Sequence, residues 1–128
     1  MKVLALDYGA ARTGVAVSDP TGTLARPLGV IDRAGSETGL QELADLVRTE
    51  EVDRVVVGLP LTLRGERGEQ AEETERFAEA LSGVLEVPVD RFDERFTTTL
   101  AGPGAGEDAR AAAHLLTSYL EWSKSRRH

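Results

Sequence analysis

Three carboxylates in this 128-residue chain sit in frames suited to metal chemistry. Asp7 ends an apolar run in LALDYGAARTGVAVSD, Glu94 follows a second run in VPVDRFDERFTTT, and Asp108 opens an amphipathic stretch in EDARAAAHLLTSYLE. Oxygen donors that converge from distant segments bind hard divalent cations such as Mg²⁺ or Mn²⁺. Two such ions roughly 4 Å apart can activate a water and stabilise the leaving oxygen of a phosphodiester. The chain has no cysteine, and His114 falls at a helical packing spacing, so the donor set is unlike that of a zinc site. Each acid also has a plainer role open to it. Asp7 could form a turn ahead of a glycine-containing loop, Asp108 could cap a helix, and Glu94 could pair with Arg91 or Arg95. Asp93 competes with Glu94 as the ligand, because adjacent strand residues face opposite sides of a sheet, and spacing alone leaves that choice open. Asp19, directly before Pro20, reads as a turn residue.

These acids need elements to position them. Residues 2–7 read as a strand with Val3, Ala5 and Asp7 on one face and Leu4 and Leu6 on the other. A small-residue turn leads to a second strand at 14–19, and a third strand follows around 28–31, which makes an antiparallel meander. Ser36 is a candidate N-cap for a helix through about Glu50, with Leu40, Leu43, Ala44 and Val47 inward. The β-branched run at 53–59 suits a strand buried on both faces. A helix from Gln70 to Leu85 places Phe77, Leu81 and Leu85 in register; a strand at 87–92 and a helix from Glu107 to Ser123 complete the order. The order βββ-α-β-α-β-α predicts one α/β domain over residues 1–128. Its mixed five-stranded sheet has a three-strand antiparallel meander plus two parallel strands, flanked by helices. Sites in open α/β sheets form beyond the carboxyl ends of strands, where Asp7 and Glu94 both fall. Asp108 is in line with the apolar stripe Ala111, Ala112, Leu115, Leu116 and Tyr119, which points it toward the sheet.

The net charge is −7, which opposes a nucleic-acid partner unless bound cations neutralise part of the acid excess. Local cations remain at Arg64 and Arg67, at Arg91 and Arg95, and at Lys124, Arg126 and Arg127. Arg12, Arg95, Thr97 and Thr98 are the candidates for substrate phosphate contacts; each has a surface-pairing or capping alternative. Tyr119 and His114 fit packing, and Trp122, near the end, fits packing or a dimer contact. No apolar run approaches the roughly 20 residues of a membrane helix, and MKVLALDYG does not resemble a signal peptide. The expected location is the cytoplasm.

Taken together, four segments resemble the YqgF/RuvX family, related to the RuvC resolvases in the ribonuclease H-like superfamily. They are Asp7-x-Gly9 with Arg12, Gly14, Val15-Ala16-Val17 and Ser18-Asp19; Val57 to Leu61 with Gly65 and Gln70; Asp93-Glu94-Arg95-Phe96-Thr97-Thr98; and Asp108 with Ala111, Ala112, Leu115, Leu116, Tyr119 and Leu120. The resemblance implies a ribonuclease H-like fold and a divalent-metal-dependent endonuclease whose acids are Asp7, Glu94 and Asp108. Members of that family are described as nucleases that mature the 5′ end of pre-16S ribosomal RNA and as Holliday junction resolvases. The implied partner is therefore pre-rRNA or, alternatively, branched DNA. A monomer suits the first and a two-fold homodimer the second. One departure stands out: the segment LAGPGAGE ahead of Asp108 is short and has no basic residue, where relatives carry a longer basic stretch. Two other classes stay in view. DYGAARTG also resembles the first phosphate loop of actin-like and sugar-kinase ATPases, whose two lobes would not fit in this length. The acidic balance would also suit a non-catalytic module.

Overall fold

A computed structural model describes residues 1–60, 68–93 and 108–125. The strands are β1 (Val3–Asp7), β2 (Arg12–Ser18), β3 (Ala25–Asp32), β4 (Arg54–Leu59) and β5 (Val89–Asp93); the helices are α1 (Glu37–Thr49), α2 (Glu69–Val84) and α3 (Asp108–Ser125). The sheet order is β3-β2-β1-β4-β5. β1 pairs antiparallel with β2 and parallel with β4, β2 pairs antiparallel with β3, and β4 pairs parallel with β5. This is the ribonuclease H-like arrangement that the sequence predicts, with β1 at its centre.

Pleat alternation divides the core into two layers. Leu4, Leu6, Val15, Val17, Val55, Val57 and Val89 pack against Leu43 and Val47 of α1 and Phe77, Ala78 and Leu81 of α2. Val3, Ala5, Ala16, Val56 and Phe92 pack on the opposite face against Ala112, Leu115, Leu116, Tyr119 and Leu120 of α3. Ala5, Ala16 and Ala112 are fully buried, and residues this small let α3 approach the sheet closely. Val55, Val56 and Val57 have no solvent exposure, as expected for a strand covered on both sides.

The meander strands are longer than their composition suggests. β2 begins at Arg12 rather than residue 14, because β3 reaches Asp32 and offers Arg12 and Thr13 partners in Asp32 and Ile31. β3 covers eight residues, with Arg26 and Pro27 inside it. Proline is tolerated because β3 is an edge strand, and the register shifts beside Pro27, where Val15 faces Gly29 and Ala16 faces Pro27. At the helices, Ser36 caps α1 as expected, accepting from the Gly39 N–H at 3.0 Å. The β2–β3 turn rests on Asp19. Its carboxylate accepts from the Thr23 and Leu24 N–H groups at 2.7 and 3.0 Å and from the Thr21 hydroxyl at 2.5 Å. The Thr21 hydroxyl first, and then the two backbone donors, hold its pKa down at about 2.

A Cβ on Gly39 would lie 2.3 Å from the Arg33 carbonyl oxygen and 2.6 Å from the Ala34 Cα, both backbone atoms. Gly39→Ala should therefore destabilise the protein by about 1–3 kcal/mol in urea unfolding. Gly83→Ala, in α2 with nothing within 4 Å of the added carbon, should be neutral or stabilise by up to about 1 kcal/mol. The depressed Asp19 pKa means that its contribution is complete above the unfolded value of 3.8 and is lost as pH falls through about 2. A carboxyl-carbon NMR titration should put its midpoint near that lower value; a midpoint near 3.8 would contradict the turn geometry.

Candidate active site

The parallel pairings align the carboxyl ends of β1, β4 and β5 at one edge of the sheet. Leu6 pairs with Val57, and Leu59 pairs with Asp93, so Asp7 and Asp93 both close their strands at this edge. They do not share a face. Asp7 alternates with Val3 and Ala5, which pack on α3. Asp93 alternates with Val89, in the layer of α1 and α2, and with Arg91, whose Nε donates to Glu75 of α2 at 2.5 Å. This parity separates Asp93 from Asp7. Arg91, a sequence candidate to pair with Glu94, is engaged by Glu75 of α2.

Asp7 is half-buried, and its partner across the β1–β2 ladder is Gly14. On the β4 side the residue after Val57 is Gly58, so both flanks of Asp7 on this face lack side chains. Neither neighbouring strand position therefore adds a side chain that would crowd a hydrated cation such as Mg²⁺. A tight hairpin holds the strand end. A Cβ on Gly9 would fall 2.5 Å from the Arg12 carbonyl oxygen, so only glycine fits that approach. The buried Thr13 hydroxyl lies 3.4 Å from both the N–H and the carbonyl of Gly9, and the Arg33 N–H donates to the Ala11 carbonyl at 2.9 Å. The exposed Arg12 opens β2 at this edge, directly across from Asp32 of β3, so cross-strand pairing sets a cation beside an acid there.

Asp108 is the first residue of α3, four positions ahead of the buried Ala112 and seven ahead of the buried Leu115. Its backbone is thus in line with the stripe that faces the sheet. Glu94, Arg95, Thr97 and Thr98 lie outside the described residues, as does the side chain of Asp108. Among the described residues no three acids or histidines cluster as a metal cage.

Tyr8 belongs to this edge although its turn-like context gave no sign of it. Its ring stacks on Phe77 of α2, centroids 4.3 Å apart and planes 20° from parallel. The alternation of Leu4 and Leu6 carried one step further would have placed it on that face. Burial first, and then the charge of Glu73, raise its pKa above the usual phenol value of 10.0. A raised pKa gives stability that is complete below the unfolded value and lost as pH rises through the folded one. Wild type should therefore lose stability relative to Tyr8→Phe only above about pH 10, read by urea unfolding across a pH series. A constant difference at every pH would contradict that burial.

Comparison with known proteins agrees with this architecture. A protein of Chloroflexus aurantiacus named "Putative pre-16S rRNA nuclease" is 50% identical over 99 residues, a match that spans 77% of this chain and 65% of that protein's length. A protein of the same name from Rubrobacter xylanophilus is 48% identical over 131 residues, covering 94% of this chain and 92% of the relative. Among solved structures, Thermus thermophilus RuvC in complex with a Holliday junction substrate superposes with a TM-score of 0.65 at 17% identity, over 97% of this chain and 96% of that one. The fowlpox virus Holliday junction resolvase gives 0.56 at 13% identity, over 95% and 99%. At those identities the likeness is one of fold. The RuvX family model, described as Holliday junction resolvase, matches residues 1–122, and the chain belongs to that family.

Proposed function

We propose that this chain is a divalent-metal-dependent endonuclease that hydrolyses phosphodiester bonds in structured nucleic acid, with the 5′ end of pre-16S rRNA as its first substrate. The observation that carries this reading is the placement of Asp7. It closes the central strand on the face that α3 covers, with glycine on both flanks. The names of the relatives supply the substrate class.

In this reading Asp7 is the shared ligand, and Glu94 and Asp108 complete the set. Glu94 is preferred over Asp93 because the family pattern carries it and Asp93 falls on the opposite face from Asp7. All three donors are carboxylates, which fit a hard ion such as Mg²⁺ or Mn²⁺. When bound, such ions supply a nucleophilic water at neutral pH and neutralise charge on the leaving oxygen. The protein's own residues do the rest. The buried sheet fixes the carboxylate of Asp7, and Arg12 sets positive charge at the hairpin for a substrate phosphate. Arg95, Thr97 and Thr98 serve as further phosphate contacts. Residues 1–128 act as one domain. An rRNA precursor as substrate places its action in the cytoplasm; among the described residues no helix is long and apolar enough to cross a membrane.

A four-way DNA junction is the second substrate. The RuvX description and the fold of junction-bound RuvC favour it, and it requires a two-fold dimer. The test is cleavage of precursor rRNA and of a four-way junction with Mg²⁺ or Mn²⁺. Asp7→Asn should lower the rate at least about 10³-fold, several kcal/mol of lost charge stabilisation, while urea unfolding confirms an intact fold. Equal cutting by wild type and variant would assign the activity to a contaminant. Cutting of neither substrate would leave a non-catalytic module.

A further inference from the structure

The negative charge of the chain is unevenly spread. Residues 37–53 hold six acids against one base, and residues 69–86 again hold six acids against one base. These stretches are α1 and α2 with the turns that follow them, and their ten net negative charges exceed the −7 of the whole chain. The remaining residues are therefore net positive. A layer so charged repels phosphate and is unsuited to contact nucleic acid. Between the C-terminal ends of its two helices lies a cleft of about 290 Å³, with Val47 and Val52 buried in its lining and Leu85 partly so. Val84, 46% exposed, and the exposed Glu51 and Glu86 also line it. Among the described residues no base pairs with either glutamate, and Arg48, at the same cleft, is taken by Asp45.

The backbone holds Glu51 at this cleft under strain. Its φ is 56°, in the left-handed region. It follows the C-cap Glu50 of α1, and its N–H donates to the Arg48 carbonyl at 3.2 Å while the Val52 N–H donates to the Val47 carbonyl at 3.0 Å. A helix closed by that pair of bonds favours glycine at this position. The chain places a carboxylate there instead. α2 ends at Val84 with no basic residue in its last turn, so the negative end of its dipole has no counter-charge of its own. Charge complementarity therefore selects the occupant: apolar surface, two carboxylates and a helix C-terminus together suit a cation on an apolar chain. We propose that this cleft docks a basic protein segment, with an aliphatic side chain against Val47 and Val84 and Lys or Arg against Glu51 and Glu86. The cleft lies where α1 and α2 lead into the amino ends of β4 and β5, and Asp7 lies at the carboxyl end of β1, parallel to β4. The two sites thus occupy opposite ends of the sheet, and the contact stands whether or not the chain cuts nucleic acid.

The experiment titrates the full chain into a fluorescein-labelled peptide of Lys and Arg around two central leucines, and into the same peptide with Ser in place of Leu. Binding is read by anisotropy. The leucine peptide should bind about ten-fold more tightly. Glu86→Gln and Glu51→Gly should each weaken it about five-fold and reduce its salt dependence. Glu37→Gln, at the opposite end of α1, should change the affinity by less than about two-fold. Glu51→Gly should at the same time raise the urea midpoint, because glycine relieves the positive φ. A gain in stability together with a loss of affinity is the pattern that a purely structural Glu51 would not give. Absence of peptide binding, or equal affinity for the two peptides, would overturn the proposal. So would an equal loss in Glu37→Gln and Glu86→Gln, which marks diffuse charge attraction. Sedimentation that shows chain pairing abolished by Glu51→Gly and Glu86→Gln would give the cleft to a second copy and overturn it as well.

Discussion

The position of Asp7 is set by the pleat of β1 between two ladders. Leu4 and Leu6 are buried on one face, and Val3 and Ala5 on the other. A slip of one residue against β2 or β4 would drive leucines into the layer that holds alanines and valines, and would turn Asp7 toward α1 and α2. Hydrophobic packing on both faces therefore aims an acid that contributes nothing to that packing. The parallel pairing of β1 with β4 and of β4 with β5 then fixes which other strand ends reach the same edge.

The two layers differ in side-chain size, and that difference serves the site. The α1/α2 layer is built from Leu, Val and Phe, whereas the α3 layer meets the sheet through Ala5, Ala16 and Ala112. Small residues bring α3 close at the face where Asp7 stands, and the glycines at 14 and 58 put no side chain beside Asp7 on its neighbouring strands. At the other end of the same layer the contacts become aromatic and polar, through Phe92, Tyr119, Trp122 and the Arg54–Asp90 pair. The α3 layer thus has an end of small residues beside Asp7 and an aromatic, ion-paired end.

Much of this was legible in the sequence because periodicity reports burial. The β-branched run of β4, the Ser36 cap and the stripe from Ala112 to Tyr119 all stand where their patterns placed them. The strand limits of the meander were not legible. Arg26 and Pro27 have turn composition, and only the pairing with β2 makes them extended. Tyr8 was hidden for the same reason: its neighbours read as a turn, while its ring answers to Phe77, far away in sequence. The relation between Asp7 and Asp93 could not be read from spacing, because parity across strands exists only once the ladders are known. Arg54, Asp90 and Tyr119 come from three separate segments, and no local pattern joins them.

The central claim is that Asp7 and the chain ends that face α3 hold a divalent cation. A crystal grown with Mn²⁺ and measured for anomalous scattering tests it most directly. The account predicts anomalous density within coordination distance of the Asp7 carboxylate, on the α3 face, and its loss in Asp7→Asn. Density confined to the Asp93 face, or absent from this edge at millimolar Mn²⁺, would contradict it.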